Sequence, residues 1–203
     1  ALGADVGGDG QFDFSSGLIA HYPFDGNAND VSGNGNHGTV NGATLGTDRH
    51  GRSGEAYSFD GNDQVSNTNP NGIQSINSVN CWVKLNILGT AQYIVDLGII
   101  NNNWIEVTPS GSVLFATGNN TQHNKIYTGQ LELDQWYMLT RTYDGSTLSA
   151  FINGQLSASV ATPEKDPTLI SVGSGGNGQD GANGSIDDVR IYDRALSADE
   201  VAA

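Results

Sequence analysis

Trp136-Tyr-Met-Leu-Thr-Arg-Thr-Tyr143, Asp144-Gly-Ser-Thr147 and Leu148-Ser-Ala-Phe-Ile152 decide the fold class. Two alternating runs flank a four-residue turn, and Asn153-Gly154-Gln155 turns the chain again. Alternation with period two sends successive side chains to opposite faces, and Asp144-Gly145 and Asn153-Gly154 are hairpin signals. The same pattern repeats outward from this hairpin. Candidate strands are Leu18–Phe24, Glu55–Phe59, Val79–Leu85, Tyr93–Leu97, Trp104–Thr108, Val113–Thr117, Trp136–Tyr143, Leu148–Ile152, Thr168–Val172 and Ile186–Tyr192. Further turns fall at Asp60-Gly61-Asn62 and Ser110-Gly111. One helical turn is expected, at Ser197-Ala-Asp-Glu200, which matches a capping box. Many short strands without crossover helices imply two antiparallel sheets packed as a sandwich.

The chain has 203 residues, 28 of them Gly, 21 Asn and 17 Asp, with only 5 Glu. Gly, Asn and Asp make turns and supply oxygen ligands, whereas helices favour Glu, Lys, Leu and Ala. Leu18 onward carries the strand pattern, so residues 17–203 are read as one domain. Residues 1–16, mostly Gly, Asp and Ser, are read as a linker or tail. A formal charge of -14 argues against nucleic acid, since eight basic residues cannot neutralise a row of phosphates. It also disfavours anionic membrane surfaces, and no apolar run of about 18 residues is present, so no membrane insertion is expected. The chain opens on Ala1 and is read as a piece of a longer protein, a monomer within a multidomain chain. Cys81 stands alone, without a disulfide partner, and is read as a small buried hydrophobe. Trp82 and Trp136, in regular strand motifs, are read as core. This composition suits a bacterial secreted or cell-surface module.

The opening block, Leu18-Ile-Ala-His-Tyr-Pro-Phe-Asp-Gly-Asn-Ala-Asn-Asp-Val-Ser-Gly-Asn-Gly-Asn-His-Gly-Thr39, resembles that of bacterial laminin-G-like domains. Ala56-Tyr-Ser-Phe-Asp-Gly61, Asn80-Cys-Trp-Val-Lys84, Gln135-Trp-Tyr137 and Phe151-Ile-Asn-Gly154 follow in the family's order. Gly184-Ser-Ile-Asp-Asp-Val-Arg-Ile-Tyr-Asp-Arg-Ala-Leu-Ser-Ala-Asp-Glu-Val201 closes the resemblance. It implies an all-β concanavalin A-like jelly-roll sandwich of two antiparallel sheets, and a structural calcium ion in many members. It also implies a role in binding glycans or proteins beside secreted enzymes and adhesins. A fold does not fix a function, so the site has to be argued from residues.

Calcium takes six to eight oxygen ligands. Asp25, Asn27 and Asp30 concentrate such groups after the first strand, and antiparallel pairing of the first and last strands would bring Asp187 beside Asp25. Those four are the expected calcium ligands; the alternative is that Asp25, Asn27 and Asp30 only bond their own turn. In the tail, Asp5, Asp9 and Asp13 with Gly10 are spaced like a calcium loop. Gly7 stands where Asp or Asn is expected and Ser16 where a bidentate acid belongs, which favours a degenerate linker.

Glycoside hydrolysis needs two facing carboxyl groups, and the five Glu are scattered singly. Arg141 and Tyr143 share a strand face, but Arg141 is read as satisfying a nearby acid. His37 is read as structuring its loop. No Gly-x-Ser-x-Gly, His-Glu-x-x-His or phosphate loop occurs. Recognition is the better reading. Sugar rings stack apolar faces on aromatic groups while their hydroxyls pair with amides and carboxylates. Trp104 follows Asn102 and Asn103 and stands near the Asn119–Asn124 stretch, so it is the expected glycan platform. Tyr93, His123 and Tyr127 join it if their loops share a face. The expectation is a non-catalytic carbohydrate-binding module. A spacer or adhesion domain with a protein partner is the second reading, and an enzyme with unrecognised catalytic residues the third.

Overall fold

The computed structural model describes residues 11–68, 70–71, 76–98, 103–119, 122–162, 169–175 and 178–203, with side chains at 118–119 and 122–124 excepted. One sheet contains β1 (Leu18–Tyr22), β3 (Thr44–Thr47), β4 (Ser53–Asp60), β6 (Ser78–Leu85), β11 (Tyr137–Tyr143), β12 (Thr147–Ile152), β13 (Gln155–Ala161) and β15 (Asn183–Tyr192). The other contains β2 (Thr39–Asn41), β5 (Gln64–Asn67), β7 (Gln92–Asp96), β8 (Trp104–Val107), β9 (Ser112–Asn119), β10 (Gln122–Gln130) and β14 (Ile170–Val172). The first runs β13-β12-β11-β6-β15-β4-β3, with β1 added on β15, and the second β10-β9-β8-β7-β14-β5-β2. These strands pair antiparallel throughout, as in a jelly-roll sandwich.

The expected hairpin is present. Asn153 and Gly154 adopt φ of 50° and 77°, the left-handed pair that a two-residue hairpin turn demands. The helix α1 (Ala198–Ala202) starts at the predicted capping box, in which Ser197 and Glu200 bond each other's backbone. One apolar core fills the space between the sheets. Val79, Cys81, Val83, Leu139 and Ile186 from the first meet Ile94, Ile105, Phe115 and Val172 from the second. Cys81 is a buried free thiol, as expected. Arg141 is buried on the core parity of β11, between Leu139 and Tyr143.

Trp82 and Trp136 are not core. In β6 from Val79 on, the odd positions are buried and the even ones half-exposed, so Trp82 shares the outer face with Asn80 and Lys84. Arg49 covers the Trp82 ring at 5.1 Å and Lys84 covers Trp136 at 5.5 Å. The cations and their stems screen the rings from water, so strand parity prevails over ring hydrophobicity.

The last strand carries the main irregularity. Asp187 pairs with Trp82 and Arg190 with Asn80, so three residues of β15 span two of β6. This β-bulge has Asp188 in the left-handed region at φ 47°. Core parity changes across it, from Ile186 to Val189 and Ile191, which leaves Asp187 and Asp188 both outside the core cluster. On its other edge β15 pairs with β4 through Ile186 and with β1 from Val189. Asp187 and Asp188 fall where one neighbour gives way to the next.

Candidate functional site

The outer face of the second sheet collects aromatic side chains. Antiparallel register aligns Tyr93, Glu106, Leu114 and Tyr127 in one row across β7, β8, β9 and β10. The adjacent row holds Trp104, Ala116 and Lys125. Ile105, Val107, Val113, Phe115 and Ile126 take the opposite parity and enter the core, which confirms that the rows face outward. Tyr93 and Trp104 meet edge-on, centroids 5.6 Å apart, and the Lys125 ammonium lies 5.8 Å from the Trp104 ring. Tyr127 is 60% exposed. Leu114 and Ala116 are nevertheless buried, so larger neighbours roof this part of the sheet.

The acids of this face feel their surroundings. Burial raises the Glu106 carboxyl above its ordinary value; Lys125 and the Trp104 indole oppose the rise and Asp180 adds to it. Burial also pushes the Tyr93 hydroxyl to about 12, with Glu106, Asp96 and Asp180 contributing. At neutral pH Tyr93 is therefore a neutral hydroxyl that can donate or accept. A ring-stacking surface edged by a carboxylate, a phenol and an ammonium can hold a polyhydroxylated ring.

Of the expected glycan residues, the structure brings Tyr93, Trp104 and Tyr127 onto this face. Asn103 is not on it. It is buried, accepts the Thr117 hydroxyl at 2.8 Å through Oδ1, and its carbonyl takes the Leu97 N–H. Asn102 lies outside the described residues. His123 pairs with Gly118 in β10, and its side chain lies outside them. Glu106 and Lys125 were missed from sequence, although register in an alternating strand pair would have placed them beside Trp104.

The residues expected to hold calcium are dispersed. Asp30 is buried and accepts from the His21 N–H, the Ser32 N–H and hydroxyl, and the Asn36 N–H. Burial works against its charge, but those bonds outweigh it and hold the carboxyl below its ordinary value. Its lone pairs are used by its own loop, the alternative that the sequence left open. The His37 Nδ1 accepts the Asp30 N–H at 3.1 Å, a loop-structuring role as expected. Asn27 accepts from the Asn29 N–H. Asp25 is exposed, and its turn is tied elsewhere, the Gly26 N–H bonding the Gly54 carbonyl at 2.9 Å. β1 does pair with β15, but Phe24 at φ 60° turns the chain away, and Asp187 is taken by Arg49. No group of three or more His, Cys, Asp or Glu side chains is arranged to hold a metal among the described residues. In the tail, Asp13 accepts from Ser15, and Asp5 and Asp9 lie outside the described residues.

Around the bulge, charges pair instead. The Arg49 guanidinium bonds Asp187 and reaches Asp188 at 3.3 Å. Asp188 also takes Arg190 at 3.1 Å and His21 Nε2 at 2.8 Å. Burial opposes the charge of Asp188, yet His21, Arg190 and Arg49 hold its carboxyl low. Asp187 goes the other way: burial outweighs Arg49 and pushes it to about 6. Elsewhere Asp48 and Glu55 both pair with Arg52, and Glu200 pairs with Arg194.

A family model, Laminin_G_3, of the concanavalin A-like lectin/glucanases superfamily, matches residues 59–202. No curated protein matches the chain in sequence. Among solved structures, domain 4 of AbnA, a GH43 extracellular arabinanase from Geobacillus stearothermophilus in complex with arabinotriose, superposes with a TM-score of 0.72 at 23% identity, covering 91% of this chain and 96% of that one. The binding domain of Paraclostridial Mosquitocidal Protein 1 gives 0.77 at 16% identity, over 94% of this chain and 52% of the other. The binding domain of botulinum neurotoxin serotype D gives 0.74 at 17%, over 93% and 51%. The chain thus spans about half the length of the two toxin domains. At these identities the likeness is one of fold.

Proposed function

We propose that this chain, which belongs to the Laminin_G_3 family of the concanavalin A-like lectin/glucanases superfamily, is a non-catalytic carbohydrate-binding module of a larger secreted or bacterial cell-surface protein. The observation that carries this reading is the outward row of Tyr93, Glu106 and Tyr127 beside Trp104 and Lys125. Trp104 and Tyr127 offer ring faces for stacking, and Tyr93, Glu106 and Lys125 offer the polar contacts that orient hydroxyls. The arabinotriose-bound arabinanase domain of the same fold lends support, and makes arabinose-containing oligosaccharides the first ligands to try.

Calcium belongs to this reading only through the Asp25 turn. Among the expected acids Asp25 is the one that stays exposed, so its carboxylate and the neighbouring carbonyls are the donors we assign. A screen of polysaccharides and glycans, run with calcium and with EDTA, tests both parts. Binding that Trp104→Ala abolishes supports the glycan reading; no binding to any glycan favours a spacer or protein-binding domain. A melting temperature unchanged by EDTA and by added calcium refutes the ion.

A further inference from the structure

The first sheet carries a cleft on its own outer face, away from the Trp104 row. Its volume is about 260 Å³, just under the roughly 300–1,000 Å³ of drug-sized sites, which suits a single small ring. Trp82, Met138 and Tyr192 form an apolar floor, Asn80 and Arg190 lie between them, and Leu196 belongs to the wall before α1.

The polar groups of this floor are built in. Asn80 and Arg190 are directly opposed in β6 and β15, the close cross-strand position. The Asn80 amide N–H donates to the Thr140 hydroxyl at 2.6 Å, which orients its carbonyl oxygen away from that partner. Arg190 is fixed by two bonds to Asp188, one from Nε and one from Nη2, each 3.1 Å. Asp188 in turn holds Arg49 and His21, so its acceptor capacity is used within the network. Arg190 is one-third exposed and also bonds the Tyr192 side chain, and the N–H groups that these partners do not take are the cleft's donors. The cleft therefore presents an acceptor on Asn80 beside a donor on Arg190, above an indole and a thioether.

We infer that this cleft is a second saccharide site, one that takes a single neutral sugar ring through two hydroxyls on neighbouring carbons. A hydroxyl donates and accepts, so one of the pair can donate to Asn80 while the other accepts from Arg190, with the ring's apolar face on Met138 and on the part of Trp82 that lines the cleft beside Arg49. Neutral sugars fit better than acidic ones. The two guanidiniums are balanced by Asp187 and Asp188, and the chain's charge of -14 repels anions. The bulge is what makes the arrangement possible, because it aims consecutive carboxylates at two arginines.

The inference rests on the glycan reading above only in its choice of ligand class, and its test separates the two. Neutral monosaccharides and the matching uronic acids are titrated into the chain while the indole N–H resonances of Trp82, Trp104 and Trp136 are followed by NMR. Neutral sugars should shift Trp82 and the Asn80 amide. Arg190→Lys, which keeps the charge and loses the two-point hold, should weaken that site about ten-fold, and Trp104→Ala should leave it unchanged. Asn80→Ser, a second variant that keeps a small polar group, should weaken it as well and guards against misfolding of the first. Silence at Trp82 while Trp104 responds overturns the second site alone. Silence at both overturns the second site and leaves the glycan reading to the screen above, and a response to uronic acids only overturns the neutral class.

Discussion

The outer faces of the two sheets use similar residue types to different ends. On the first, each tryptophan is covered by a cation: Arg49 on Trp82 and Lys84 on Trp136. Its charges also close on one another through Asp187 and Asp188. On the second, Trp104 too has a cation, Lys125 at 5.8 Å, but it meets Tyr93 edge-on, Tyr127 stands exposed, and Glu106 is raised by burial without an arginine network around it among the described residues. One face is a closed ionic network around a small cleft, the other an open aromatic strip. An ionic network in partly dry surroundings stabilises only while every partner is in place. An open ring surface contributes little to folding and can be given to a ligand.

Breaking the network should have the largest effect. Asp188→Ala strands Arg190 and His21 and leaves Arg49 only Asp187, and should cost about 2–4 kcal/mol in denaturant unfolding, toward the lower end because Arg190 is one-third exposed. Asp188→Asn keeps a residue tolerant of the left-handed backbone and should cost less. Equal losses in the two variants would place the cost in the lost charge, and a loss confined to Asp188→Ala would place it in the backbone.

The next effect sharpens the contrast within the network. Asp187, raised to about 6, binds its proton more readily folded than unfolded. Its contribution is present below its ordinary value and lost as pH rises through about 6. Asp188 and Asp30, held low, contribute above their ordinary values and lose that contribution in stronger acid. Asp187→Asn should therefore flatten the pH dependence of stability between about pH 4 and 6, by about 2 kcal/mol. It should leave the acid limb below pH 4 in place. Chemical unfolding across that range reads both limbs, and an unchanged slope between pH 4 and 6 would contradict the assignment.

Much of this contrast was open to reading before the structure, and some was not. The hairpin at Trp136–Ile152 and the capping box at Ser197 followed from alternation and turn chemistry. β2, β3 and β13 did not, because they are edge strands whose residues are mostly exposed and carry no apolar alternation. β10 opens on Gln122-His-Asn124, which reads as loop in isolation. Trp82 was misread although Asn80 and Lys84 share its parity. The charge network was hidden for a different reason: a one-residue bulge changes parity inside β15, and Arg49 arrives from a turn far away in sequence. The aromatic strip was half legible. Tyr93, Trp104 and Tyr127 were named, but their union depends on strand register, which also sends Asn103 into a buried bond with Thr117.

On the second sheet the effects should be on binding rather than on folding. Trp104→Ala should weaken glycan binding at least ten-fold, about 1.4 kcal/mol by the usual conversion, as read by calorimetric titration. Tyr127→Ala, at a 60% exposed position, should weaken it only a few-fold and leave the melting temperature where it is. A large stability loss from Tyr127→Ala would mean that this face is structural, and the contrast between the sheets would fail.

The most direct measurement follows the three indole resonances while the best glycan from the screen is titrated in. The open-strip account predicts that Trp104 shifts in a saturable way and that Trp136, under Lys84, stays still. A glycan that binds while the Trp104 resonance does not move would contradict it.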